Sequence, residues 1–87
     1  MLELVFMPNA WLHIGWWVQN DIKTLKKIHA LLENCCKTPF EGIGQPEALK
    51  ANYKDYWSRT INLEHRIVYK VEANRIIVHS LKGHYQD

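Results

Sequence analysis

Apolar residues first gather at Leu2, Leu4, Val5 and Phe6, which predicts a short, mostly buried strand that Pro8 stops. Beyond it Ala10, Trp11, Ile14, Trp17 and Val18 recur three and four apart, the spacing of one helical face, and Asn9 is placed to cap that helix. Gln19-Asn20-Asp21 breaks the pattern, and Asp21 can cap a second helix. In that helix Ile22, Leu25, Ile28, Leu32 and Cys35 or Cys36 form an apolar stripe, while Lys23, Lys26, Lys27 and Glu33 face water. It should end near Lys37, before Pro39, with the lysine where a cation suits the helix dipole.

Residues 38–55 lose all periodicity. Pro39, Gly42, Gly44 and Pro46 make this a loop, with a short helical turn expected at residues 47–50. Strand patterns follow at residues 56–61, 66–71 and 76–81, joined by the turn-like Asn62-Leu63-Glu64 and Glu72-Ala73-Asn74. These predict an antiparallel meander. In its middle strand Ile67, Tyr69 and Val71 alternate with Arg66, Val68 and Lys70, so one face packs on the helices and the other presents Arg66 and Lys70. The order is β-α-α-β-β-β: an α+β domain with both helices on one side of the sheet. No repeat, linker or low-complexity tract divides residues 1–87, which form a single domain.

Composition narrows the function. At 87 residues with 47% hydrophobic and 23% charged, the chain is an ordinary small globular domain, not a disordered one. No run approaches the roughly 18 apolar residues of a membrane span. The first residues lack a basic start and a small-residue cleavage site, so they read as folded domain rather than as a leader. Cys35 and Cys36 are adjacent, which excludes a disulfide framework and a cysteine zinc site and suits a reduced, cytoplasmic setting. The five histidines lack paired ligand spacing, so neither metal nor cofactor is expected. Gly42 and Gly44 do not make a phosphate loop, because no Gly-Lys-Ser/Thr follows.

Net charge is only +2, but its distribution is uneven. All three arginines, Arg59, Arg66 and Arg75, lie in the second half, with Lys50, Lys54, Lys70 and Lys82. Arginine is the side chain best matched to phosphate. Glu47, Lys50, Arg59, Arg66 and His84 together suit phosphoryl transfer from RNA. A carboxylate can take the ribose 2′-OH proton, cations can hold the phosphate, and a histidine can protonate the leaving oxygen. Each also has a structural alternative: Glu47 as a turn residue, Arg66 as an exposed cation, His84 and Tyr85 as a frayed tail. Trp16, Trp17 and Trp57 suit either base stacking or the core.

The second half also resembles a known family. Thr38-Pro39-Phe40-Glu41-Gly42, Pro46-Glu47-Ala48-Leu49-Lys50, Tyr56-Trp57-Ser58-Arg59, Glu64-His65-Arg66-Ile67-Val68-Tyr69 and the closing His84-Tyr85 look like the YoeB (Txe) toxins of the RelE superfamily. The match runs over essentially the whole chain. The resemblance implies a twisted, mainly antiparallel sheet with two N-terminal helices on one face. It implies the toxin half of a bacterial type II toxin–antitoxin module, cutting mRNA on the 70S ribosome in the A site without a metal. It also implies a YefM (Phd-like) antitoxin and a possible homodimer. By the same resemblance Glu47 is the general base, Arg66 the transition-state stabiliser and His84 the general acid. Lys50, Arg59 and Tyr85 are implied to bind substrate, and His65 to be more structural. The alternative is a module that binds ribosome or antitoxin without cutting. Two positions depart from the pattern: Thr60 stands where the family often has a second arginine, and Gly83 where it often has tyrosine.

Overall fold

In the computed structural model, which describes residues 1–84, the carboxylate of Asp21 caps α2 (Ile22–Lys37) as its place predicts. It accepts the Thr24 N–H at 3.1 Å and the Thr24 hydroxyl at 2.6 Å. Those bonds, the hydroxyl's first, hold its carboxyl below the usual carboxylate range. Ile28, Leu31, Leu32, Cys35 and Cys36 are the buried stripe of α2. Ile22, at the capped end, is exposed instead. The first helix, α1 (Pro8–Asn20), begins two residues earlier than expected, with Met7 rather than Asn9 at the cap position and no side-chain cap bond. Pro8 lies in its first turn, where a missing N–H loses no helical bond. Only Ala10 and Trp17 of α1 are fully buried, and Trp11, Leu12 and Val18 are exposed.

Five strands form one sheet in the order β1-β5-β4-β3-β2. They are β1 (Glu3–Phe6), β2 (Glu47–Ala48), β3 (Tyr56–Thr60), β4 (Arg66–Glu72) and β5 (Arg75–Ser80). The predicted meander β3-β4-β5 is present, and β1 adds to β5 in parallel. Being an edge strand with one neighbour, β1 leaves Glu3 and Leu4 exposed and Val5 and Phe6 half-buried, not mostly buried as expected. Residues 47–50 are not a helical turn. Glu47 and Ala48 pair with Ser58 and Trp57 on the free edge of β3, and the Leu49 N–H donates to the Tyr56 carbonyl. A 3-10 turn, Ala51–Tyr53, follows.

The alternation of β4 is as predicted: Ile67 and Tyr69 lie in the core with the helices, and Val71 packs against it. Val68 is buried on the other face, between its cross-strand partners Ser58 and Ser80. A register shift there sets Tyr69 against Val78 but Val68 against Ser80, leaving His79 as the extra residue of a bulge. The bulge turns Ser80 to the face of Val68 and returns Leu81 to the core beside Ile76 and Val78. Among the described residues the Ser58 and Ser80 hydroxyls are buried without a hydrogen-bond partner.

Candidate active site

Register places the first two groups of the site. Glu47 stands opposite Ser58 on β2, and Arg66 stands opposite Thr60 at the start of β4, on the face away from the helices. Arg66 Nη1 donates to Thr60 Oγ1 at 3.0 Å and lies 3.9 Å from Glu47 Oε2. The Glu47 side chain is 70% exposed and that of Arg66 24%, so water screens this pair and a phosphate oxygen can take the carboxylate's place. Backbone bonds bring the third group. The Arg66 N–H donates to the Gly83 carbonyl at 2.8 Å, and the Gly83 N–H donates to His65 Nδ1 at 3.0 Å. His84, the next residue, is therefore tethered beside Arg66 and exposed. Gly83 itself is bonded on both backbone groups, at φ +97°, a left-handed conformation that favours glycine.

Arg59 is not at this site, contrary to the expectation that it binds phosphate. It shares the strand face of Trp57, turned to the helices, and is fully buried. Its guanidinium makes five hydrogen bonds. Nε donates to the Tyr69 hydroxyl at 3.3 Å, Nη1 to Asn34 Oδ1 at 2.6 Å and the Ile43 carbonyl at 3.0 Å, and Nη2 to the Thr38 and Glu41 carbonyls at 2.6 and 2.9 Å. No donor is left for a substrate. The open-face neighbour is Thr60, which the sequence reading counted only as a lost cation. Extending the alternation of β4 to β3 would have found both, since Arg59 pairs with Ile67 and Thr60 with Arg66. Lys50 is exposed at the entry to the 3-10 turn. Tyr85 lies outside the described residues. Of the stacking candidates, Trp17 is buried, Trp57 packs against Phe40 on the helix side, and Trp16 carries Lys82 Nζ over its ring at 4.6 Å.

The chain as a whole is similar to known proteins. A family profile described as "YoeB-like toxin of bacterial type II toxin-antitoxin system" matches residues 6–85. The chain belongs to this family. A toxin YoeB from Synechocystis is 44% identical over 85 residues, covering 98% of this chain and 99% of that one. A Staphylococcus aureus YoeB, solved as a dimer, superposes with a TM-score of 0.89 at 46% identity, covering 97% of this chain and 98% of that one. A YoeB solved in a heterotetrameric complex with YefM from the same organism gives 0.88 at 45%, covering 98% and 99%. The RelE-like fold expected from the sequence, two helices against one sheet, is thus the fold of these toxins, with β1 making the sheet mixed.

Proposed function

We propose that this YoeB-family toxin is an endoribonuclease that cuts mRNA on the ribosome, in the A site, with groups of its own chain. The observation that carries this reading is the approach of Arg66 Nη1 to Glu47 Oε2, 3.9 Å, with His84 tied through Gly83 to the Arg66 backbone. Glu47 takes the proton of a ribose 2′-OH, and the freed oxygen attacks the adjacent phosphorus. Arg66 holds the phosphate oxygens as their charge grows. The bond to the 5′-oxygen breaks as His84 protonates it, leaving a 2′,3′-cyclic phosphate and a 5′-hydroxyl. Lys50, exposed beyond β2, adds positive charge on the Glu47 side, and Tyr85 would steady the nucleotide.

Primer extension on translating ribosomes tests this. Wild-type chain should give cuts within A-site codons, and Glu47→Ala or His84→Ala should lower the rate by about 10²-fold or more. Blocked translation without cuts would move the reading to a toxin that only occupies the ribosome. The partners follow the relatives' assemblies: a YefM-like antitoxin and a second copy of the chain. Two apolar surfaces support them. A groove of about 510 Å³ lies between β1 and the helices, lined by Leu2, Leu4, Phe6, Leu25, Ile28 and Leu32 among others. The outer side of α1 exposes Trp11, Leu12 and Val18.

A further inference from the structure

Two imidazoles hold the segment that leads to His84. His13 Nδ1, on α1, accepts the Leu81 N–H at 3.1 Å, and His65 Nδ1, in the turn before β4, accepts the Gly83 N–H at 3.0 Å. Two donors answer on the carbonyl side. Trp17 Nε1–H reaches the Leu81 carbonyl at 2.9 Å, and the Arg66 N–H reaches that of Gly83 at 2.8 Å. A backbone N–H can bond to Nδ1 only through the ring's lone pair, so both imidazoles are neutral there, with their proton on Nε2.

We propose that His13 and His65 are positioning residues: as neutral rings they fix the backbone of Leu81 and Gly83, and so the place of His84, and protonation of His13 releases that segment. The proposal rests on the reading of His84 as the acid. A ring protonated on both nitrogens is a donor twice over and would oppose an N–H. The titratable groups facing His13 are Lys82 on the tail, His65 in the turn and His79 on β5. Burial, then Lys82, then the two imidazoles hold His13 below the ordinary histidine value. The accepting form therefore persists at neutral pH, and release comes with acid. His65 faces Glu64, whose carboxylate is 4.0 Å from Nε2, and its ring meets Trp17 edge-on at 5.0 Å and Trp16 at 6.3 Å. The second imidazole thus sits in a different electrostatic setting from the first.

Amide hydrogen exchange and cleavage, measured on the same preparations, separate this clamp from the chemistry. The Leu81 amide reports on His13 and the Gly83 amide on His65. His13→Leu should expose the Leu81 amide at about pH 7.5 and lower kcat by about tenfold or more, with KM little changed. His13→Asn, which puts a non-titrating oxygen near the Nδ1 position, should recover both. His65→Leu and His65→Asn should do the same for Gly83. As pH falls below the ordinary histidine value of 6.5, the wild type should lose Leu81 protection while His13→Asn keeps it. A protected Leu81 in His13→Leu, or one acid profile shared by wild type and His13→Asn, would overturn the proposal. Amides that follow the histidines in a chain that cuts no RNA would overturn the ribonuclease reading, and with it the purpose given to the clamp.

Discussion

Five oxygens surround the Arg59 guanidinium, three of them backbone carbonyls of residues 38–43. The loop before β2 has no helix or sheet ladder of its own to bind these groups. The buried arginine binds them, with Asn34 and Tyr69 completing its shell. Burial pushes the Tyr69 hydroxyl up to about 12, so it stays protonated and donates to the Pro39 carbonyl at 2.6 Å. Gly42 belongs to the same knot, for a β-carbon there would collide with the Asn34 side chain. Arg59→Met keeps the stem but strands the acceptors, and should cost about 3–5 kcal/mol, a large share of what holds so small a domain folded. Urea unfolding measures it. A midpoint unchanged from wild type, with cleavage lost, would return Arg59 to the substrate. Ser58 and Ser80 have no such network, and nothing in the described residues explains their buried hydroxyls.

At the scale of elements, the cap of α2 has a pH signature. The Asp21 carboxyl is more acidic in the folded chain than the ordinary aspartate value of 3.8, chiefly through the Thr24 hydroxyl and N–H. Its contribution is therefore full above about pH 4 and is lost as pH falls through the lower, folded value. Asp21→Ala should melt below wild type at neutral pH, and the gap should close toward about pH 3; a gap that stays constant across that range would show the carboxylate is not what caps the helix. This helix was legible because its signals are local: a cap, a stripe and a proline beyond the end. The meander was legible for the same reason. The pairing of Glu47-Ala48 with β3 was not, since two residues carry no period and their stability comes from an edge supplied by distant sequence. The bulge at His79 was hidden in a run that is apolar on both faces. At the site, Glu47, Arg66 and His84 were singled out by their chemistry and given roles by a family resemblance, whereas the tail's attachment to His13, Trp17 and His65 is purely tertiary.

Taken whole, the domain keeps its candidate site and its apolar groove apart. Glu47 and Arg66 occupy the sheet face away from the helices, near β2, while the apolar groove borders β1 at the opposite edge. An antitoxin seated in that groove need not touch Glu47 directly. Leu4 lines it and is partly exposed, so Leu4→Lys should weaken binding of a YefM-like antitoxin by about tenfold or more, about 1.4 kcal/mol. Titration calorimetry decides; an unchanged affinity would place the antitoxin elsewhere. The order of the strands has one more consequence. β5, the last strand of the described residues, lies between β1 and β4, and Leu81 and Gly83 come soon after it. Until β5 is made and free of the ribosome, β1 has no neighbour in the sheet. A chain that stops before residue 75 lacks the strand that joins β1 to the rest of the sheet, so the sheet cannot be completed on the early part of the chain alone.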